Sequence, residues 1–275
     1  MRLLIVGGSG FLGGELARRA LAEGHTVAAT FLSRPGTVSG VGWSPLDVRD
    51  RAAVADLIAA LEPDVVLNPA YSKADWTATA SGAAHVALAV AAIGGRLVHV
   101  SSDAVFSGEA VTYAEDHVPD PVSPYGAAKA AAEVAVQAIV PGAVIARTSL
   151  IVGGGRSGHE SFVHALAAGR RQGVLFTDDV RCPVHVGDLA AALLELAGAG
   201  RQGIHHVAGA DAVSRYELGC LVARRDGLDP SRLARGRRAD TDVPGPLDVR
   251  LDCTATQRLL RTKLRGAREF LRQGA

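Results

Sequence analysis

The chain contains the stretch Met1-Arg-Leu-Leu-Ile-Val-Gly-Gly-Ser-Gly-Phe-Leu-Gly-Gly14, which decides the fold. The apolar run from Leu3 to Val6 is typical of a buried parallel strand. The run ends at Gly7, and a helical pattern begins near Phe11. A strand, a glycine-rich turn and a helix are therefore expected in immediate succession.

The glycines of this turn are spaced by three residues, at Gly7, Gly10 and Gly13. The first allows a tight turn, the second lets the backbone approach a pyrophosphate, and the third lets helix pack on strand. Unpaired N–H groups at the start of the helix would face the phosphates. Glycine-rich turns also occur without a ligand, but this one joins a strand to a helix, which favours a dinucleotide site.

The second predicted strand, Thr26 to Phe31, indicates which dinucleotide is bound. NAD-binding versions of this fold place an Asp or Glu near the end of that strand, where it binds the ribose hydroxyls. Here Ser33 and Arg34 follow instead. A guanidinium pairs bidentately with a phosphate, so these residues favour the 2′-phosphate of NADP, with NAD as the alternative. An arginine in a solvated loop is the other interpretation of Arg34.

The following elements continue the alternation of strands and helices. A third strand, 41–46, leads to Asp47, which is placed either to accept from the adenine amino group or to cap the helix 51–61. A fourth strand, 63–68, precedes the turn 69–72, which should run beside the cofactor. Further strands are predicted at 96–101, 143–148, 174–176, 183–186 and 204–207, and further helices at 81–93, 125–139, 162–169 and 188–199, the last capped by Asp188.

This order predicts an α/β fold, a doubly wound parallel Rossmann sheet with a small, mostly helical C-terminal substrate lobe. Residues 1–150 would form the NAD(P)-binding core. Residues 151–275 would form the substrate-binding lobe, with returning segments that complete the sheet. From Tyr216 onward we expect helices joined by polar, arginine-rich loops.

A second informative region is Val98-His-Val-Ser-Ser-Asp-Ala-Val-Phe-Ser-Gly108, where hydroxyls follow a strand at the edge that binds ligands in such folds. Farther along, Tyr125 and Lys129 lie one helical turn apart and share a face. A nearby ammonium and an oxidised nicotinamide ring would favour the phenolate of Tyr125. For reduction of a carbonyl, the cofactor would supply hydride, Tyr125 the proton, and Ser102 a hydroxyl that orients the substrate.

With these motifs the chain resembles the extended short-chain dehydrogenase/reductases, and within them the dTDP-4-dehydrorhamnose reductase-like group. The resemblance covers nearly the whole chain. It is carried by the glycine turn and by Asp47-Val48, 101–108, Tyr125-Gly-Ala-Ala-Lys129, Arg147-Thr-Ser149, 183–190, 203–209 and 246–248.

The resemblance implies a catalytic set and two groups of binding residues. Ser102, Tyr125 and Lys129 would be catalytic. Cofactor contacts are expected from Gly7, Ser9, Gly10, Phe11, Leu12, Ser33, Arg34, Asp47, Val48, Ala70, Tyr71, Lys129 and Thr148. Substrate contacts are expected from Ser102, Asp103, Tyr125, Leu150, Arg181 and Arg250, with His159, Glu160 and His185 as further candidates.

Two departures from the group concern the substrate. Ala104 and Leu150 stand where the group commonly has an aromatic residue and a tryptophan, so the deoxysugar itself is left open. NADPH-dependent reduction of a ketone on a nucleotide-linked sugar or related metabolite is the first hypothesis. The alternatives are a catalytically silent NADP-binding regulatory subunit, as in methionine adenosyltransferase, and an NAD-dependent sugar-nucleotide epimerase.

Composition limits the remaining classes. A formal net charge of +1 gives no sign of a nucleic-acid partner, and no apolar stretch is long enough for a membrane span. The three scattered cysteines suggest reduced thiols in a cytoplasmic protein. No metal site is expected, and a homodimer is left open. Among 29 basic residues only Lys73, Lys129 and Lys263 are lysines, so each lysine merits attention.

Overall fold

A computed structural model describes residues 1–242 and 244–272 of the protein. Seven parallel strands form its central sheet. The strands are β1 (Arg2–Ile5), β2 (Thr26–Phe31), β3 (Gly42–Pro45), β4 (Val65–Asn68), β5 (Arg96–Ser102), β6 (Val144–Thr148) and β7 (Gly203–His206). Their order across the sheet is β7-β6-β5-β4-β1-β2-β3. This is the doubly wound order, with its reversal between β1 and β4, and it confirms the predicted fold class.

Helices cover both faces of this sheet. The main helices are α1 (Phe11–Ala22), α2 (Arg51–Leu61), α3 (Gly82–Ala92), α4 (Pro124–Ile139), α5 (Gly158–Ala167), α6 (Val186–Gly198) and α7 (Arg215–Arg225), and a π turn (Thr77–Ser81) precedes α3. Leu3 and Ile5 pack with α1 and α6 on one face. Leu4 and Val6 pack with α2, α3 and α4 on the other. Because alternate residues of β1 are buried on opposite faces, the strand is apolar throughout, as the sequence predicted.

The predicted cap of α6 is wrong, and of the two interpretations of Asp47, the one that makes it the cap of α2 is not observed. Helix α2 is capped by Asp50, whose carboxylate accepts from the N–H of Ala53, and not by Asp47. Helix α6 begins at Val186, two residues early, and His185 is its N-cap. Before α2 several polar residues are available, and the direction of the incoming chain selects which one reaches the free N–H groups. Before α6 the ring of His185 accepts from the N–H of Gly187.

Beyond β6 a second hydrophobic cluster forms, between α5, α7 and the segment that ends at Phe270 and Leu271. Helix α7 is the one long helix described after residue 214. The rest of this region consists of short elements, because its apolar residues lack helical spacing, so the predicted helical lobe is only partly correct. The short elements of the protein are the strands Thr112–Tyr113, Ile151–Val152, Leu175–Phe176, Val180–Arg181, Val184–His185, Val213–Ser214, Arg235–Gly236 and Arg250–Leu251, the 3-10 turns Asp103–Val105, Pro230–Arg232 and Arg238–Asp240, and the helices Thr254–Gln257 and Ala267–Phe270.

The division into a cofactor-binding core and a substrate-binding lobe at residue 150 stays a prediction. Strand β7 follows this boundary in the chain but pairs with β6 in the central sheet. The part of the predicted lobe at 243 and 273–275 lies outside the described residues. None of the helices in the described ranges has the length and apolar character needed to cross a membrane.

Candidate active site

The glycine turn between β1 and α1 has the geometry expected of a phosphate cradle. Gly7 has a φ of +82°, and its N–H donates to the Thr30 hydroxyl at 2.9 Å. A Cβ on Gly13 would lie 2.3 Å from the carbonyl oxygen of Gly7, so only glycine permits this helix–strand contact. Within the described chain, no side chain caps the N-terminus of α1 at Gly10. The turn therefore leaves N–H groups and space for a pyrophosphate, and it fits a bound dinucleotide.

The far end of this crevice contains Ser33 and Arg34. Both are exposed after β2, and within residues 1–242 and 244–272 the Arg34 guanidinium has no ion pair. Asp47 is paired with Arg49, with 2.6 Å between the nearest atoms, and Arg49 also reaches Asp75. This pairing holds the pKa of the Asp47 carboxyl below its usual value through hydrogen bonds from Arg49. Arg34 thus remains available for a phosphate, while Asp47 is ionised at the crevice edge.

Helix α4 begins where it can bring Tyr125 to the end of β5. Ser123 caps the helix by accepting from the N–H of Gly126 at 3.1 Å, and Pro124 occupies the first turn. A Cβ on Gly126 would lie 2.0 Å from the carbonyl oxygen of Ala104. Glycine at this position therefore lets α4 press against the turn that follows Ser102.

The surroundings of Tyr125 keep its phenol protonated. Burial raises the pKa of Tyr125 well above its usual value and the neighbouring Tyr71 acts in the same direction, whereas a hydrogen bond with Ser102 opposes them. The rings of Tyr71 and Tyr125 lie 5.7 Å apart. In the environment that the chain supplies, burial has the largest effect on this pKa, and the expected effect of an ammonium together with an oxidised nicotinamide ring stays a prediction. A neutral phenol is the form that can donate a proton.

Lys129 lies one turn farther along α4 and is buried. Its ammonium donates to the carbonyl oxygen of Val100 at 2.8 Å and lies 5.3 Å from the centre of the Tyr71 ring. Burial lowers the pKa of Lys129 from 10.5 to about 8, while the carboxylate of Glu133 acts in the opposite direction. Lys129 is thus close to the Tyr71–Tyr125 pair but is fixed by the backbone of β5.

A buried ion pair lies behind Lys129. Arg147 and Glu133 are 1% and 2% exposed, and their closest charged atoms are 2.8 Å apart. Ser101 donates to the same carboxylate, and Arg147 also donates to the carbonyl oxygens of Glu115 and His117. These contacts fix α4 against β5 and β6, and so fix the position of Lys129. Sequence reasoning named Arg147 only within a motif and did not identify its partner.

The predicted residues at the ends of β5 and β6 form hydrogen bonds with one another. The hydroxyl of Ser102 donates to Asp103 at 3.2 Å, and Ser149 donates to the other oxygen of Asp103 at 2.6 Å. Thr148 is buried, and its hydroxyl donates to the carbonyl oxygen of Val207 at 2.8 Å. Leu150 is buried in the second hydrophobic cluster. Asp103 is therefore held in place below the Ser102 hydroxyl.

The two arginines that were predicted to face the substrate both form ion pairs with aspartates. Arg181 is buried, lies 3.0 Å from Asp179, and donates to the carbonyl oxygens of Pro246 and Leu247. Arg250 pairs with Asp248 at 2.7 Å. Arg181 contacts residues more than 60 positions away and Arg250 contacts a residue two positions away, and the sequence pattern reveals neither contact.

A cavity of about 270 Å³ lies between α5, α7 and the strand Leu175–Phe176, and it has an apolar wall and a charged end. We call it the second-lobe cavity. Its apolar lining includes Phe162, Leu175, Phe176 and Leu218. The charged end consists of His159, Asp179, Arg215 and Arg238. Neither arginine was predicted from the sequence, because both lie in a region where arginine is common and no spacing sets them apart.

Arg215 and Arg238 share one buried carboxylate, since each lies 3.2 Å from Asp179. Because Arg181 also contacts Asp179, three guanidinium groups surround a single negative charge. The pKa of His159 is lowered to about 3 by burial and by the charges of Arg215 and Lys73, so this ring is neutral. The charged end of the cavity is therefore positive and suited to an anion.

The remaining candidates have mainly structural contacts. Glu160 is buried and accepts from the backbone of the loop 153–157 while pairing with Arg225 at 2.7 Å. His185 caps α6. Val48 packs against Gly82, and Ala70 lies against Gly7 beside the glycine turn. A larger cavity, about 620 Å³, lies at the amino ends of β1 and β2, lined by Met1 and His25 among others, on the edge opposite Tyr125.

The sheet order, the glycine turn and the convergence of Ser102, Tyr125 and Lys129 at one sheet edge define an oxidoreductase of the extended short-chain dehydrogenase/reductase type. The model of the family described as RmlD substrate binding domain matches residues 1–274, and the chain belongs to this family.

Similar proteins agree with this assignment. The dTDP-4-dehydrorhamnose reductase of Mycobacterium tuberculosis is 34% identical over 264 residues, covering 89% of this chain and 82% of the relative. Methionine adenosyltransferase 2 subunit beta of Xenopus laevis is 30% identical, with 93% and 87% covered. A solved structure described as a hypothetical dTDP-4-dehydrorhamnose reductase from Sulfolobus tokodaii is 30% identical, with a TM-score of 0.83 and 96% and 97% covered.

Proposed function

We propose that the protein uses NADPH to reduce a ketone on a nucleotide-linked sugar. The observation that carries this proposal is the placement of Tyr125, half-buried and protonated, beside Ser102 at the carboxyl edge of the sheet. The similarity to a dTDP-4-dehydrorhamnose reductase over most of the chain supports the substrate class. The exposed Arg34 and the lack of a carboxylate after β2 support NADPH over NADH.

The chain would hold the cofactor along the crevice between β1 and β4. The glycine turn and the start of α1 would bind the pyrophosphate, Arg34 the 2′-phosphate, and Lys129 the nicotinamide ribose. When bound, the cofactor supplies hydride to the carbonyl carbon. Ala70 and Tyr71, next to the glycine turn, would line the same crevice.

Proton transfer would be the task of the chain itself. Ser102 would hold the substrate carbonyl, and Tyr125 would donate its phenolic proton to the carbonyl oxygen. Asp103, which Ser149 holds in place, accepts the proton of the Ser102 hydroxyl before substrate arrives. On binding, this hydroxyl would turn its proton from Asp103 to the substrate carbonyl oxygen. The ammonium of Lys129, near the tyrosine pair, would favour the phenolate that forms.

The nucleotide part of the substrate would occupy the cavity of the second lobe. Its apolar wall suits a nucleobase and sugar, and Arg215 and Arg238 would bind phosphate at the positive end. We propose these two arginines as substrate contacts in place of Arg181, whose guanidinium is occupied by protein groups.

The test is oxidation of NADPH, followed by absorbance, with a panel of nucleotide-linked keto-sugars. We expect Tyr125→Phe to lower turnover by about 10²–10⁴-fold while NADPH affinity is kept. Tyr216→Phe, the same chemical change in α7, is the control and should retain activity. Equal turnover of Tyr125→Phe and the wild type would remove Tyr125 as the acid.

A regulatory NADP-binding subunit is the second candidate, favoured by the similarity to methionine adenosyltransferase 2 subunit beta. Wild-type protein that oxidises NADPH with no member of the panel, yet binds another protein tightly, would support this candidate. NAD retained through purification would instead support an epimerase and contradict the role of Arg34.

A further inference from the structure

Lys73 is a cation of the cleft that the proposed mechanism does not use. It follows Tyr71 in the turn after β4, and its ammonium lies 6.0 Å from the centre of the Tyr125 ring. In the described ranges its ammonium has no ion pair or hydrogen bond, and its side chain is exposed to the cleft. The Lys73 ammonium is therefore available to bind an anionic group of a ligand next to Tyr125.

The neighbours of Lys73 place it between two parts of the site. Loss of solvent around the ammonium lowers the pKa of Lys73, as does the charge of Arg215, while Asp103 acts in the opposite direction. The charge of Lys73 also contributes to the low pKa of His159, at the positive end of the second-lobe cavity. Lys73 therefore lies next to Tyr125 at the sheet edge, and its charge acts on His159 and Arg215 at the charged end of the cavity.

The charges of this region leave room for a doubly charged ligand. Arg181, Arg215 and Arg238 face the carboxylates of Asp179 and Asp103, which leaves one positive charge without Lys73. With Lys73 the excess is two positive charges. A diphosphate linking a nucleoside to a sugar carries one negative charge on each phosphate, so Lys73 supplies the cation that completes the balance.

We propose that Lys73 binds the phosphate next to the sugar and so places the sugar ketone at Tyr125. The proposal rests on the proposed function, because it takes a nucleoside diphosphate linked to a sugar as the substrate. With the nucleoside in the cavity, Arg215 and Arg238 contact the phosphate next to the nucleoside. The second phosphate then lies nearest to Lys73, and the sugar attached to it reaches Tyr125. Lys73 is a binding and positioning residue in this arrangement.

Calorimetric titration of the NADPH-loaded protein tests the assignment. The probes are the nucleoside diphosphates dTDP, UDP, GDP, CDP and ADP and the matching monophosphates. Lys73→Met should weaken the best-bound diphosphate by about tenfold or more, the effect of one lost charged hydrogen bond, and the monophosphate by less than about threefold. Lys73→Arg keeps the charge and should stay within about threefold for both probes.

Lys263→Met is the matched control, because this lysine is exposed and paired with Glu269, and it should change neither affinity. Equal losses for diphosphate and monophosphate, or no loss, would overturn the assignment. So would a change in NADPH affinity, which would put Lys73 on the cofactor. A wild type that binds none of the diphosphates would also overturn it.

The outcome is separable from that of the proposed function. Diphosphate binding that depends on Lys73, in a protein that reduces no keto-sugar, would retain the phosphate contact and reject the reductase. A shifted pH profile of turnover in Lys73→Met with unchanged diphosphate affinity would instead mean that Lys73 acts on the Tyr125 phenol, and would overturn the assignment.

Discussion

Replacing Glu133 by Gln tests how strongly the ion pair behind Lys129 stabilises the fold. The change removes the charge of Glu133 and leaves Arg147 buried, 1% exposed, without its counter-ion. Breaking a buried pair by removing one partner costs about 3–5 kcal/mol, because the remaining charge is uncompensated. That is a large part of the total stability of about 5–15 kcal/mol that is usual for a folded protein.

The assay is urea-induced unfolding followed by circular dichroism at neutral pH. Glu269→Gln is the control, since Glu269 and Lys263 are also 2.8 Å apart but are 42% and 69% exposed. The same change should there cost about 0–1 kcal/mol. The contrast between the two variants isolates the effect of burial, because the chemical change and the distance are the same.

A second replacement distinguishes an unpaired charge from a simple loss of contacts. Adding Arg147→Met to Glu133→Gln removes the orphaned guanidinium, and the double variant should recover about 2 kcal/mol relative to Glu133→Gln. A loss below about 1 kcal/mol in Glu133→Gln, equal to the surface control, would refute the reasoning. The reasoning would also be refuted if the double variant lost as much stability as Glu133→Gln and Arg147→Met lose in sum when each is made alone.

Three further predictions concern the cofactor site. Gly13→Ala should weaken NADPH binding and cost about 1–3 kcal/mol of stability in urea titrations, because its Cβ would lie 2.3 Å from the Gly7 carbonyl oxygen. Gly14→Ala, where the nearest atom is 3.7 Å away, should gain about 1 kcal/mol. Arg34→Ala should weaken NADPH about tenfold or more in fluorescence titrations and leave NADH within about threefold; equal losses would contradict a 2′-phosphate contact. Because the pKa of Lys129 is about 8 in the folded protein and 10.5 for the free side chain, the folded protein binds fewer protons between these values. Stability relative to Lys129→Met should therefore rise by about 3 kcal/mol as pH increases through this range in urea titrations, and a flat difference would refute the shift.

Local patterns were sufficient for the nucleotide-binding half of the fold. Strand β2 and helix α2 have the predicted bounds, and α1 begins at the predicted residue. Apolar runs, helical spacing and the glycines that end strands or helices are all signals that depend on a few neighbouring residues. The caps were less predictable. Asp47 and Asp50 are equally suitable chemically, and the path of the chain decided which one reaches Ala53.

Contacts between distant residues set the limit of prediction at the site. Helical spacing brought Tyr125 and Lys129 together, but it could not show that the ammonium bonds Val100 or that burial raises the pKa of Tyr125. Arg181 ends a short strand and Arg215 follows one, and the two side chains carry the same charge. Their different roles arise because one guanidinium meets the carbonyl groups at 246 and 247, far away in sequence.

The two halves of the site are therefore built from different kinds of structure, and this affects how each can change. The glycine turn and α4 are fixed by close backbone contacts at Gly13 and Gly126, so substitutions there disturb the fold itself. The second-lobe cavity is lined by residues of α5 and α7, such as Phe162 and Leu218, and by short elements that contain Phe176 and Arg238. None of these elements belongs to the central sheet. Under the proposed function, substitutions in this cavity would alter the nucleotide that is bound while the residues around Tyr125 keep their positions. Changes in substrate preference should accordingly concentrate in residues 159–181 and 215–238, and changes in the proton-transfer chemistry should require replacements on β5 or α4.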